Sequence, residues 1–482
     1  MNPASTARAA AAAESDPAHD AGAAAALAAA GLSGEASAAW LANRPAASGD
    51  YRTDVAAFGR TWRLGLDLLA ALPNKPSRNA AQANAAALIH RMDRAARDAF
   101  LIAHVEALYR ALTKNLAAFV RVENLVYDAA IQAPGLVPTR AEVERESLLD
   151  QSAKEGREID QGILLSRVFA HEPAGVHLCH AMLLPRPEAW DLLARLRERG
   201  RIDLRAASVE RRGKAAIVTL RNPRFLNAED TGTIADQETA ADLAILDPAS
   251  DIAVLRGDVV EHPNYRGRRL FSAGLNLTHL YRGKIPFVWY ITRDMGFVNK
   301  LMRGVAKPDL APEDPAGGSI EKPWIASVDG FAIGGGCQIL LAVDYVLAAS
   351  DAYMTLPARK EGIIPGCANL RLPRFVGDRI ARQAIMYGRR LDCDSPEGRL
   401  ICDEVVPPHE MDAALARVID GMTSSGVVSA CGNRRAFRVG QEPLDLFRRY
   451  MAAYVREQAY CHFSPALIAN LERHWNAQQR RE

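Results

Sequence analysis

The amino-acid sequence predicts an α/β protein with additional helices at both ends. Residues 215–223 and 252–258 are β-branched runs that end in turn residues, and helical stretches separate them from later runs of the same kind. Before about Leu204 and after about Met411, apolar residues recur at spacings of three and four without strand signals. With 49% hydrophobic residues in a chain of 482, the protein can bury a large core.

In chain order, this pattern divides the sequence into four predicted segments. Residues 1–30 are rich in alanine and poor in large side chains, so we expect disorder or a frayed helix. Residues 31–203 are a predicted helical domain, in which Thr139 should cap one helix. Residues 204–420 form the α/β core, and residues 421–482 are predicted helices that contact other subunits of an oligomer.

Charge and cysteine content limit the partners and the compartment. The 59 Lys and Arg against 57 Asp and Glu leave a formal charge of +2, which gives no overall field to attract nucleic acid or an anionic membrane. The sequence has no apolar run long enough to span a bilayer and no signal-peptide pattern. The seven cysteines are never spaced C-x-x-C, which fits neither a disulfide framework nor a structural zinc site. We therefore expect a cytoplasmic protein that binds neither nucleic acid nor membranes.

The stretch "FAIGGGCQILLAVDYV" (residues 331–346) places three glycines before an apolar segment. We expect a helix from about Gln338, and the first N–H groups of a helix lack intrahelical partners and attract negative charge. Tight packing of a helix on a strand is the alternative explanation, and the loop alone does not decide between them. No G-K-[ST] follows, and no acidic residue is placed for a ribose, so neither a phosphate loop nor a dinucleotide site is predicted.

Four stretches that occur in one order carry a family resemblance: "IVTLRNPRFLNAED", "RLFSAGLNLTHL", "EKPWIASVDGFAIGGGCQILLAVDYVLAA" and "LPARKEGIIPGCANLRL". Together they resemble the crotonase (enoyl-CoA hydratase/isomerase) superfamily. The resemblance implies a crotonase-like spiral of ββα units, a homotrimer or homohexamer, and an acyl-CoA thioester as substrate. It also implies that the backbone N–H groups of Leu275 and Gly335 form an oxyanion hole, which would stabilise an enolate.

The acid–base residues of the hydratases are missing. Hydratases of this superfamily carry two glutamates, and the corresponding positions here are Gln338 and Ala358. A carboxamide cannot act as a general base, so we expect no ordinary double-bond hydration. The nearest acid is Glu361, but Arg359 and Lys360 stand beside it, and we expect a surface or ion-paired position. The sequence therefore leaves the general base unassigned.

Further stretches, "KEGREIDQG", "HPNYRGRRLFSAGLNL" and "ICDEVVPPHEMDAA", resemble one branch of the superfamily, the cofactor-independent oxygenases that act on 3,5-dihydroxyphenylacetyl-CoA. This resemblance implies that the thioester and O2 give 3,5-dihydroxyphenylglyoxylate and free CoA, a precursor step in antibiotic biosynthesis. No separate cofactor or metal is then expected, because CoA is part of the substrate and O2 is the co-substrate. The alternatives are an arylacetyl-CoA thioesterase or enoyl-CoA isomerase of the same fold, or an RNA-binding crotonase relative.

The resemblance also implies roles for individual side chains. Glu229 and Arg293 should contact the phenolic hydroxyls, with a surface salt bridge as the alternative, and Gln338 should be a neutral hydrogen-bonding partner. His262 should meet the substrate or CoA, unless it is simply a solvated loop residue. Further substrate or CoA contacts are expected at Arg224, Ala273, Gly274 and Asn276. Apolar residues expected to line a dry oxygen pocket, or else to pack in the core, are Ile333, Ile363 and Ile364.

Overall fold

A computed structural model describes residues 17–480. The helices are α1 (Pro17–Ala29), α2 (Gly34–Ala42), α3 (Tyr51–Ala70), α4 (Ala80–Leu112), α5 (Val122–Gln132), α6 (Arg140–Glu146), α7 (Ile159–Ala170), α8 (Glu172–Leu183), α9 (Pro187–Arg199), α10 (Ile234–Leu246), α11 (Leu277–Tyr281), α12 (Phe287–Thr292), α13 (Asn299–Arg303), α14 (Gly335–Leu340), α15 (Ala358–Glu361), α16 (Ala368–Tyr387), α17 (Met411–Thr423), α18 (Val428–Gln441), α19 (Leu444–His462) and α20 (Pro465–Trp475). The strands are β1 (Arg201–Asp203), β2 (Ala207–Arg212), β3 (Ala215–Leu220), β4 (Ile252–Gly257), β5 (Val305–Ala306), β6 (Ser319–Ile320), β7 (Trp324–Val328), β8 (Phe331–Ile333), β9 (Tyr345–Ala349), β10 (Tyr353–Thr355), β11 (Leu391–Asp392) and β12 (Glu404–Val406).

The main sheet has seven strands in the order β1-β2-β3-β4-β7-β9-β12. The first three strands form an antiparallel meander, and the pairs from β3 to β12 are parallel. Every residue of β3 and β4 is buried, as is usual for parallel strands that are covered on both faces.

A second, three-stranded sheet, in the order β11-β10-β8, lies beside the first. The chain passes from β7 in the main sheet to β8 in the small sheet and then into α14. It repeats this step from β9 to β10, and α15 and α16 follow. These successive ββα units confirm the predicted crotonase-like α/β spiral.

The helix after the glycines is shorter than the sequence predicts. It covers Gly335–Leu340 and ends well before residue 346. The chain turns back here because Asp344 and Trp324 pair: the Trp324 N–H donates to the Asp344 carboxylate (2.7 Å), and the Asp344 N–H donates to the Trp324 carbonyl (3.0 Å). The apolar residues that follow therefore form β9 instead of more helix.

The N-terminal helices confirm the helical character predicted for this region. Part of the alanine-rich segment, residues 1–16, lies outside the described residues, and the rest forms α1, in which Leu27 is buried. Thr139 caps α6 in a reciprocal pair with Glu142, as predicted. One hydrophobic core contains residues from Phe58 to Ala477, so helices and sheet share it, and the domain boundaries stay a prediction.

The C-terminal helix α19 packs along α7 of the N-terminal region. The Ser166 hydroxyl donates to the Ala452 carbonyl (2.7 Å), and a Cβ at Gly162 would lie 2.5 Å from that of Ala459. Tyr454, also on α19, reaches a cleft in the α/β core. Within residues 17–480, no helix has the length and apolar character needed to cross a membrane.

Candidate active site

A cleft lies where the ββα units meet α12 and α19. Five of the residues predicted to act on or contact the substrate line it: Glu229, Leu275, Arg293, Gly335 and Gln338. The structure therefore brings together residues that are more than 100 positions apart in the chain. The remaining walls come from residues 289–294, residues 356–366 and Tyr454.

The backbone N–H groups of Leu275 and Gly335, two residues that line this cleft, have no hydrogen-bond partner within residues 17–480. Leu275 lies opposite Glu229 in a parallel β-bridge. The hydrogen bonds of this bridge are made by the residues on either side of Leu275. The Glu229 N–H donates to the Gly274 carbonyl (2.6 Å), and the Asn276 N–H donates to the Glu229 carbonyl (2.8 Å). The Leu275 N–H is left unused by this pairing. Gly335 is the first residue of α14, where N–H groups lack intrahelical acceptors.

The segments that carry these two N–H groups are in close contact. Gly274 has a positive φ of 76°, and a Cβ there would lie 2.8 Å from the Gly335 nitrogen and 2.5 Å from the Ile333 carbonyl oxygen. A Cβ on Gly335 would overlap the Glu229 carboxylate. Only glycine fits at position 274 or 335, because any side chain there would overlap neighbouring atoms. The two segments can therefore approach each other closely enough to bring both N–H donors to the same cleft.

Arg293 is the buried cation of the cleft, and every N–H of its guanidinium has an acceptor. Its Nε lies 2.9 Å from both Glu229 oxygens, and its two terminal nitrogens donate to Asp294, Gln338 and the Gly335 carbonyl at 2.8 to 2.9 Å. Burial works to lower the pKa of Arg293, but the carboxylates of Glu229 and Asp294 outweigh it and raise that pKa. The charged guanidinium thus fixes the Gly335 peptide and the Glu229 carboxylate in place.

The same guanidinium orients the Gln338 side chain. The Gln338 Oε1 accepts from Arg293 (2.8 Å), so the carbonyl side of the amide is used and its NH2 group remains as a donor. Because Gln338 lines the cleft, this NH2 group is available to an oxygen acceptor on a bound molecule. The neutral hydrogen-bonding role predicted for Gln338 has support in this arrangement.

Asp294 is a cleft residue that the sequence analysis did not single out. It stands next to Arg293 in the π-helical turn Arg293–Val298, a rare geometry that is often found at functional sites. Burial raises the pKa of Asp294, although Arg293 opposes this effect. Tyr454 also lines the cleft and hydrogen-bonds to Asp294. No local sequence signal could have identified Tyr454, because its position depends on how α19 packs.

The expectation for Glu361 was wrong. Its side chain is buried and lines the cleft, whereas Arg359 and Lys360, which precede it in the same short helix, are exposed. The four-residue helix α15 turns the basic residues toward solvent and the carboxyl group inward. Burial raises the pKa of Glu361 to about 7.

Other predicted contact residues lie outside the cleft lining. His262 is in a loop, where its Nδ1 accepts from the Asn264 N–H (3.3 Å), and Arg224 is exposed with its guanidinium over the Phe225 ring. Asn276 is buried, where it donates to Asp230 (3.1 Å) and caps α11. Ala273 and Gly274 precede the Leu275 donor, so their contribution is to its backbone position. Substrate or CoA contacts at these five residues stay a prediction.

Part of the cleft lining is apolar. Ile363 and Ile364 line it as predicted, together with Trp289, Leu356 and Ala358, whereas Ile333 is not part of the lining. All seven cysteines are free, and among residues 17–480 no group of three or more His, Cys, Asp or Glu is placed to hold a metal ion.

Comparison with known proteins identifies the family. The chain is 47% identical over 394 residues to the (3,5-dihydroxyphenyl)acetyl-CoA 1,2-dioxygenase of Amycolatopsis orientalis, a match that covers 82% of this chain and 89% of the relative. The family model for enoyl-CoA hydratase/isomerase matches residues 316–438. The chain belongs to the crotonase superfamily.

Other members of the crotonase superfamily match a smaller part of the chain. The probable mitochondrial enoyl-CoA hydratase of Dictyostelium discoideum is 24% identical over 49% of this chain and 76% of its own length. Among solved structures, an enoyl-CoA hydratase from Mycobacterium avium has 22% identity and a TM-score of 0.46, over 56% of this chain and 98% of its own. The dioxygenase match therefore extends beyond the part shared with the hydratases and includes more of the helical regions.

Proposed function

We propose that this protein is an acyl-CoA dioxygenase that converts 3,5-dihydroxyphenylacetyl-CoA and O2 into 3,5-dihydroxyphenylglyoxylate and CoA. The observation that carries the proposal is the pair of unused N–H groups at Leu275 and Gly335, in a chain that is 47% identical to a dioxygenase of that specificity. These donors are positioned for the oxygen of a thioester carbonyl, where negative charge develops when the α-carbon loses a proton.

The side chains of the cleft support enolate chemistry more than hydration. The two positions that carry glutamates in hydratases are Gln338 and Ala358, so no pair of carboxylates is available there to activate water. The Gln338 NH2 group and the Glu229–Arg293 pair offer polar partners for the ring hydroxyls, and the apolar wall at Ile363 and Ile364 suits O2.

The reaction balances without a further reactant. The enolate transfers one electron to O2, and recombination at the α-carbon gives a peroxide anion. Attack of its terminal oxygen on the thioester carbonyl breaks the C–S bond and releases CoA. Loss of the second α-proton with cleavage of the O–O bond leaves a ketone and a carboxylate, each with one oxygen atom from O2.

The decisive experiment measures O2 uptake and free thiol in parallel, with purified, chelator-treated protein and 3,5-dihydroxyphenylacetyl-CoA. Equal amounts of O2 consumed and CoA released are expected, and 18O2 should label both the ketone and the carboxylate. Release of CoA without O2 uptake would instead identify a thioesterase, and a substrate rearranged with neither signal would identify an isomerase.

We also propose that the protein forms a homotrimer or homohexamer. It would act in a reducing cytoplasm, and its product would be used in antibiotic biosynthesis. Exposed apolar side chains on α18, at Val428, Phe437 and Val439, are candidates for the subunit contact. Light scattering should give a mass of three or six times 52.3 kDa.

A further inference from the structure

The cleft holds three carboxyl groups, and only one of them lacks a basic partner. Glu229 and Asp294 are both bound by Arg293, at 2.8 to 2.9 Å. The Glu361 carboxyl group makes no hydrogen bond or ion pair with any residue in the described part of the chain, although the residue is only 8% exposed. A carboxylate held by an arginine is a poor proton acceptor, whereas an unpaired one keeps its basicity.

Glu361 is also close to the oxyanion donors. Its Oε1 lies 4.0 Å from the point where a Cβ on Gly334 would be, and Gly334 directly precedes the Gly335 donor. The carboxyl group therefore approaches the backbone at the residue just before the Gly335 donor, one Cα–Cα spacing of about 3.8 Å along the chain. Glu361 lines the same cleft as Leu275 and Gly335, the residues that carry the two N–H groups.

We propose that Glu361 is the base that removes the α-proton of the thioester bound at Leu275 and Gly335, an inference that rests on the proposed function. The α-carbon C–H bond breaks, and its proton forms an O–H bond on Glu361. The electron pair of that C–H bond forms the carbon–carbon double bond of the enolate. The carbonyl electrons move to the oxygen, where the two N–H groups stabilise the charge.

The surroundings of Glu361 favour this role at neutral pH. A general base works best when its pKa is close to the working pH, and burial raises the pKa of Glu361 to about 7. The Tyr290 phenol is close enough to Glu361 to feel its charge, and the other titratable groups that line the same cleft are the Tyr454 phenol and the Glu229, Arg293 and Asp294 cluster. Burial raises the pKa of both phenols far above the ordinary value, so they stay neutral and do not compete for the proton.

The test is hydrogen exchange at the α-carbon without oxygen. The full-length protein is incubated anaerobically in D2O with 3,5-dihydroxyphenylacetyl-CoA, and mass spectrometry follows deuterium uptake at the α-carbon. The Glu361→Gln variant should exchange at least about 100-fold more slowly than the native protein, while its Kd for the thioester by calorimetry changes only a few-fold. Glu457→Gln, which changes an exposed glutamate on α19, is the matched control and should exchange at the native rate.

Native-rate exchange in Glu361→Gln would overturn the proposal. So would weaker binding with unchanged exchange, because it would make Glu361 a contact for a ring hydroxyl. If Glu361→Gln does not fold, Glu361→Asp decides, since moving the carboxylate back by one methylene should slow exchange at least about tenfold. A further outcome separates the two proposals. If the native protein exchanges the α-proton and Glu361→Gln does not, but the native protein takes up no O2 in air, the dioxygenase function is refuted and Glu361 remains the base.

Discussion

At the scale of single residues, Gly335 connects the proposed oxyanion donor with the buried ion pair. Its N–H faces the cleft, its carbonyl accepts from Arg293, and its missing side chain leaves room for the Glu229 carboxylate. Three functions therefore meet at one backbone position. A change there should affect catalysis more than it affects the rest of the fold.

We expect Gly335→Ala to lower kcat by about 100- to 1000-fold, because the new methyl group would overlap the Glu229 carboxylate and displace the N–H donor. Steady-state rates of CoA release measure the effect. Gly432→Ala is the control, since a Cβ at this helical position meets nothing within 4 Å, and its kcat should equal that of the native protein. A Gly335→Ala variant with native kcat would contradict the assignment of the donor.

Arg293→Gln should destabilise the protein by about 3 to 5 kcal/mol near pH 7, because it leaves the fully buried Glu229 without its cation. The free energy of unfolding in urea measures this loss. Arg382→Gln breaks an ion pair with Asp378 that is exposed to solvent, and it should leave the free energy of unfolding almost unchanged. Equal losses in the two variants would mean that the Arg293 cluster is not a structural support of the cleft.

At the scale of helices and strands, local patterns and tertiary contacts had different predictive value. The β-branched runs at β3 and β4 and the cap at Thr139 depend on neighbours in sequence, and the sequence predicted them correctly. The early end of α14 depends on a pairing between Asp344 and Trp324, which no periodicity reveals.

The same distinction applies to the site. The positions of Leu275 and Gly335 at the cleft could be predicted because the sequence motif that contains each residue also determines its local backbone conformation. Glu361 was misplaced because neighbouring charges in sequence suggested an exposed position, whereas the turn of α15 separates the carboxyl group from the two basic side chains. The environment of Tyr454 depends on α19 folding back on the N-terminal helices.

The α7–α19 contact yields a prediction at this scale. Gly162→Ala should lower the free energy of unfolding by about 1 to 3 kcal/mol, because the added Cβ would lie 2.5 Å from that of Ala459 and 3.0 Å from the Val455 carbonyl oxygen. Gly440→Ala, at a helical glycine where a Cβ meets nothing within 4 Å, should instead stabilise by up to about 1 kcal/mol. Urea unfolding of both variants provides the comparison. Stabilisation by both would show that α7 and α19 do not pack this closely.

At the scale of the whole molecule, Glu361 should make stability depend on pH. In the unfolded chain the pKa of a glutamate carboxyl group is about 4.5, whereas in the folded protein burial raises the pKa of Glu361 to about 7. Between these values the folded state binds more protons, so this group lowers the free energy of unfolding as pH rises, by about 3 kcal/mol in total.

Glu361→Gln should therefore be more stable than the native protein at pH 8, by up to about 3 kcal/mol, and the difference should be smaller by a similar amount at pH 4.5. Urea unfolding at the two pH values measures both differences, and comparison at each pH cancels the other titrating groups. A difference that does not change with pH would mean that Glu361 is ionised at its ordinary pKa in the folded protein. If Glu361→Gln is more stable but no longer exchanges the α-proton, the native protein gives up stability in order to keep a buried base.

The pairing of α7 with α19 also has a consequence for the order in which the protein can form during synthesis. Ser166 and its partner Ala452 are 286 residues apart, and ribosomes add about 5 to 20 residues per second, so α7 waits about 15 to 60 s for the helix that covers it. During that time its apolar face must stay in solution or be held by a chaperone. Since Tyr454 arrives with the same helix, the cleft is completed only when nearly all of the chain has been translated.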